Sequence, residues 1–145
     1  MTSRNLFLSA VLPTEGLYCV VGLKRGTPRQ VFAETLDKTV SIVDELVEDN
    51  FDVYFLSTPV YKLPESYASK RIWIKNNFGD WADKRLILTH RKDLCIGDYL
   101  IDDRLKNGSE NFKGIHLHFG KVSPFYGSLR NWKDVIGVIK RREMI

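Results

Sequence analysis

The sequence predicts an α/β fold: a three-layer sandwich around a mostly parallel sheet. Three observations carry this. The strand-like runs are continuously apolar rather than alternating, as strands covered on both faces must be. They alternate along the chain with segments of helical periodicity. The chain has 145 residues, 43% of them apolar, enough for one core of ordinary size, so a single α/β domain over residues 1–145 is expected.

Taken in order, "GLYCVVGL" (16–23) is β-branched, apolar and bounded by glycine, and reads as a buried strand. "KRGTPRQ" (24–30) has the glycine and proline of a loop. "TLDKTVSIVDELVEDN" (35–50) sets Leu36, Val40, Val43 and Val47 on one helical face. "FDVYFLS" (51–57) is a second buried strand, and Val20 and Phe55 are expected in the core on adjacent strands. "ESYASKRIWIKNNFG" (65–79) follows Pro64 and stops at Gly79, the start and stop signals of a helix. "RLILT" (85–89), "DYLID" (98–102) and "GIHLHFG" (114–120) are further strands, the last with His116 and His118 on one face. "NWKDVIGVIKRRE" (131–143) is an amphipathic helix with Trp132, Val135, Ile136 and Ile139 inward and Asn131 as its cap.

The net charge of +4 is spread along the chain, which suits an anionic small ligand or a solvated surface better than nucleic acid. Cys19 and Cys95 have neither metal-ligand spacing nor a disulfide framework around them. No apolar run approaches a membrane span and the N-terminus lacks a signal-peptide pattern, so a cytoplasmic protein without a membrane partner is expected.

In a parallel sheet the ligand sits beyond the carboxyl ends of the strands. Ser57 and Thr58 end one predicted strand, Asp102 and Asp103 end another, and Lys70 lies early in the helix after Ser57. A hydroxyl, an ammonium and a carboxylate pair suit a phosphate held beside Mg²⁺, a hard cation that prefers oxygen ligands. A cation would also relieve the repulsion between adjacent carboxylates. Taken singly, the same residues are also consistent with a turn at Ser57-Thr58-Pro59, a surface lysine, and a cap or an Arg104 ion pair at the acids.

From about residue 38 to the C-terminus the sequence resembles the 5'(3')-deoxyribonucleotidases of the haloacid dehalogenase superfamily. "VYFLSTP" looks like the second motif, "SKRIWIKNNFG" like the lysine-bearing helix, and "RLILTHRKDLCIGDYLIDDR" like the run ending in the fourth motif. The resemblance implies a Rossmann-like core without a large cap. It implies Ser57, Thr58 and Lys70 on phosphate, Asp102 and Asp103 on Mg²⁺, and a nucleoside monophosphate or phosphate as ligand. Its chemistry is phosphate removal through a phospho-aspartate. Arg104 and Lys24 would be secondary contacts.

One motif departs. The superfamily carries an Asp-x-Asp at the end of its first strand. If "GLYCVVGL" is that strand, Lys24 and Arg25 follow it and no aspartate precedes Asp37. The first fifty residues, with "GLYCVV" and "FAETL", instead resemble the opening of phage and plasmid primase-polymerase proteins, which gives the chain a chimeric look. Residues 1–37 are thus expected to be a segment unlike the nucleotidases that supplies the first strand. The expected function is a degenerate nucleotidase-like domain, a pseudoenzyme that keeps a phosphate and Mg²⁺ half-site and has no catalytic residue assigned. The alternatives are an active 5'(3')-deoxyribonucleotidase and a phage-type interaction protein that binds a protein partner. The last draws on the aromatics Phe119, Phe125, Tyr126 and Trp132.

Overall fold

The computed structural model describes residues 4–9 and 29–144, with side chains placed for 4–9 and 37–144. Five parallel strands form one sheet in the order β3-β2-β1-β4-β5: β1 (Arg4–Leu8), β2 (Phe51–Ser57), β3 (Leu86–Leu88), β4 (Tyr99–Asp102) and β5 (Ile115–His118). The helices are α1 (Arg29–Glu48), α2 (Pro64–Phe78) and α3 (Trp132–Glu143). A small antiparallel pair, β6 (Val122–Ser123) and β7 (Gly127–Ser128), precedes α3. This is the α/β, Rossmann-type core with a parallel sheet that the sequence predicted.

The alternation of each strand sorts its side chains onto two faces. Leu6, Leu8, Val53, Phe55, Tyr99, Ile101 and Leu117 join the larger core with the buried faces of all three helices. Phe7, Leu56 and Leu100 point the other way into a smaller cluster closed by Phe112, with Tyr54, Ile87 and Cys95 against it. The inward stripe of α1 is Thr39, Ile42, Val43 and Leu46, rotated from the expected one, so that Val47 is 42% exposed. The Trp132 indole N–H donates to the Thr39 hydroxyl at 3.1 Å, tying α3 to that stripe. Asn131 caps α3 as expected, accepting from the Asp134 N–H at 2.9 Å. The rings of Phe119 and Trp132 meet at a tilt with centroids 4.9 Å apart against the core, whereas Phe125 is exposed.

The first strand is not where the sequence put it. Arg4–Leu8 lies between β2 and β4, and the other side of β2 pairs with β3, so both flanks of β2 are taken. Residues 16–23, Val20 among them, lie outside the described residues. The loop expected over 24–30 ends earlier, because Arg29 and Gln30 already belong to α1. Arg4–Leu8 escapes a pattern search because only Leu6, Phe7 and Leu8 are apolar, below the length at which such a run stands out.

Candidate functional site

The chain steps outward from β1 through β2 to β3, then returns to the other side of β1 as β4. That reversal creates a crevice at the carboxyl ends of β1, β2 and β4. A cavity of about 170 Å³ lies there, lined among others by Ser9, Ser57, Lys92, Asp102, Asp103 and Arg104.

Each group is placed by its strand. Ser9 directly follows β1, and its N–H donates to the Ile101 carbonyl at 2.8 Å, which continues the ladder and sets its side chain beside Asp102. Asp102 is the last residue of β4 and 1% exposed. Its repulsive pairing with Asp103 is answered from within the protein: the Lys92 ammonium donates to Asp102 Oδ2 at 2.7 Å and to the Ser9 hydroxyl at 2.9 Å. Lys92 is itself 5% exposed, so this is a buried ion pair. The Arg104 N–H donates to Asp102 Oδ1 at 3.1 Å.

Lys92 starts a short 3-10 turn, Lys92–Leu94, in the connection from β3 to β4. Its own N–H donates to the Asn107 carbonyl at 2.7 Å, which pins the turn to the β4–β5 connection. Gly108 permits the approach. It has φ +88°, and a Cβ there would come 2.9 Å from the Lys92 backbone nitrogen. Ser109 braces the same loop, accepting from the Lys106 N–H and donating to the Arg104 carbonyl.

Ser57, Asp102 and Asp103 therefore come together, and Thr58 joins them at the cavity wall. The Thr58 hydroxyl is spent on the Thr89 carbonyl at 2.8 Å, so it ties two strand ends instead of facing a ligand. Lys70 stands apart from them. It lies on the inward stripe of α2 with Ser66, Ser69, Trp73 and Ile74, is 3% exposed, and is not among the residues lining the cavity. The buried lysine lining the cavity is Lys92, which helical periodicity could not reveal because it stands in a connection. Its signal was its place in the run from "LT" to "LIDD", between two strand ends. Lys24 lies outside the described residues.

The acid pair differs internally. Asp103 retains exposed surface, yet partial burial and then the neighbouring Asp102 charge raise its carboxyl above the usual range. On the adjoining strand, burial lowers the His116 imidazole against the raising influence of Asp102, and its Nε2 has no hydrogen-bond partner among the described residues. A carboxyl raised in the folded state contributes stability that is complete below the unfolded pKa and lost as pH rises through the folded one. Ionised Asp103 therefore costs stability at neutral pH. Asp103→Asn should raise the melting temperature there, with the gain vanishing below about pH 4, where an unperturbed aspartate is protonated. A lowered melting temperature at neutral pH would show that Asp103 is stabilised by its surroundings.

The resemblance implies Mg²⁺ at this acid pair. Mg²⁺ demands octahedral oxygen ligation, commonly with one or two carboxylates and several waters. Here the Asp102 carboxylate is already matched by the buried Lys92 ammonium, which leaves only Asp103 as an unmatched acid. Among the described residues no group of three or more His, Cys, Asp or Glu side chains could hold a metal ion. The described residues thus offer a divalent cation one unmatched carboxylate, that of Asp103. Nor, among the described residues, is any helix long and apolar enough to cross a membrane.

Comparison with known proteins agrees with the fold. A family model described as 5' nucleotidase, deoxy (pyrimidine), cytosolic type C protein matches residues 25–144, starting before residue 38, where the motifs placed the onset. A protein of Vibrio phage KVP40, provisionally named 5'(3')-deoxyribonucleotidase, is 50% identical over 76 residues, covering 52% of this chain and 45% of its own length. A protein of Bordetella pertussis with the same provisional name is 34% identical over 131 residues, covering 84% of this chain and 66% of its own. One from Staphylococcus aureus is 30% identical over 98 residues, covering 65% and 53%. The matched stretch is thus between about half and two thirds of each relative's length.

Proposed function

Since the chain belongs to the 5' nucleotidase, deoxy (pyrimidine), cytosolic type C protein family, we propose that it is a nucleotidase-like domain that keeps the phosphate-binding half of the site and lacks the nucleophile. The observation that carries this reading is the residue at the end of β1. Where the superfamily's Asp-x-Asp would begin stands Ser9, its hydroxyl accepting from Lys92, and two positions on the sequence has Val11. Covalent phosphoryl transfer by this route needs a carboxylate to accept the phosphoryl group, and a serine without an adjacent base is a weak nucleophile. In this reading the ligand is a nucleoside monophosphate or inorganic phosphate. Lys92 and the Ser57 hydroxyl hold the phosphate oxygens, and Arg104 supplies charge at the rim. Asp102 orients Lys92 rather than holding a metal.

Thermal unfolding with increasing inorganic phosphate tests the binding half of the proposal. A ligand that binds only the folded state stabilises it by about 2.7 kcal/mol at a hundred times its Kd. The melting temperature should therefore climb with phosphate, and the climb should be smaller in Ser57→Ala. An unchanged melting temperature at millimolar phosphate, with and without Mg²⁺, would remove the site.

A further inference from the structure

We infer that this cavity holds the phosphate end of a phosphomonoester directly on Lys92 and Ser57, with no divalent cation between ligand and protein. The inference rests on the phosphate-site reading above and adds how the charge is met. Three cations, Lys92, Arg104 and Lys106, line the cavity against two carboxylates, Asp102 and Asp103. The balance favours an anion before any metal is considered. A divalent cation arriving at Asp102 would meet the Lys92 ammonium 2.7 Å from the oxygen it seeks.

Two donors are left for the ligand. An ammonium has three N–H groups, and among the described residues those of Lys92 are used once on Ser9 and once on Asp102, which leaves one for a ligand. Ser57 is 4% exposed and lines the cavity, and its hydroxyl makes no hydrogen bond to a described residue. A hydroxyl at the cavity wall can donate to a ligand oxygen. Size narrows the ligand further. About 170 Å³ is well under the roughly 300–1,000 Å³ of pockets that enclose whole small molecules. The cavity takes the phosphate, and the rest of the ligand lies outside it.

The change that makes this site metal-free is Ser9. A carboxylate at that position would turn the balance to three acids against three cations and give a divalent ion a second ligand beside Asp102. Calorimetric titration of the full chain with inorganic phosphate, once after EDTA treatment and once in millimolar Mg²⁺, tests this. The two affinities should agree within about twofold, and Ser57→Ala should weaken both by about tenfold, the equivalent of one lost hydrogen bond to a charged group. Ser9→Asp should weaken phosphate binding in EDTA and regain it with Mg²⁺. Binding by the parent chain only in Mg²⁺ would overturn the metal-free inference while leaving the phosphate site standing. Binding under neither condition would overturn both. A Ser9→Asp variant indifferent to Mg²⁺ would also overturn the assignment of the metal-free state to Ser9.

Discussion

Lys92→Met is expected to destabilise the folded chain by about 3–5 kcal/mol, the usual cost of leaving one member of a buried ion pair without its partner. Asp102 is 1% exposed, and its Oδ2 depends on the Lys92 ammonium at 2.7 Å. Without Lys92, the Asp102 carboxylate would keep, among the described residues, only the Arg104 N–H at 3.1 Å, while Asp103 still stands beside it. The double variant Lys92→Met with Asp102→Asn removes both charges together, so it should recover most of the loss. Denaturant unfolding of the parent, both singles and the double closes the cycle and isolates the coupling. A single-variant loss below about 1 kcal/mol, the range of exposed ion pairs, would mean that the two groups are solvated and that the site is looser than described.

The second large effect is on turnover. Phosphate release from deoxyribonucleoside monophosphates in Mg²⁺ is expected at the buffer-only rate. The superfamily route needs an aspartate at the end of the first strand, and Ser9 stands there with its hydroxyl engaged by Lys92. Asp102 is paired and buried, and Asp37 is an exposed residue of α1 that does not line the cavity, so neither replaces it. Because β1 is Arg4–Leu8, the positions at which to restore acids are Ser9 and Val11, not Gly22 and Lys24 as a first strand at 16–23 would require. Ser9→Asp combined with Val11→Asp should raise turnover by orders of magnitude, since loss of a nucleophile costs about that much. Turnover by the unmodified chain above about 1 s⁻¹, inside the ordinary enzyme range, and abolished by Asp102→Asn, would sink the proposal. Asp37 would then be the first candidate nucleophile to replace.

Most of the scaffold was legible because its cues are local. Pro64 and Gly79 bracket α2, Asn131 caps α3, and the apolar runs ending at Ser57 and Asp102 are strands in the structure within a residue or two. The ends of β2 and β4 are legible for the same reason, which is why the sequence alone groups Ser57, Asp102 and Asp103 at one sheet edge. Two things were not. A five-residue strand with three apolar side chains has too short a pattern to outweigh the longer run at 16–23. A lysine in a connection, in turn, has no periodicity to be read from.

By itself, then, the sequence determined the α/β class, the parallel sheet and which two strand ends carry polar groups. Each of these follows from apolar periodicity and from capping between residues near in sequence. Tertiary structure alone decided that Arg4–Leu8 is the central strand, so that Ser9 stands at the motif position, and that Lys92 rather than Lys70 meets Asp102. The order of strands depends on which segments pair across long separations. The ion pair depends in turn on that order, because only a sheet running β2-β1-β4 brings the ends of β1 and β4 together under the turn that carries Lys92.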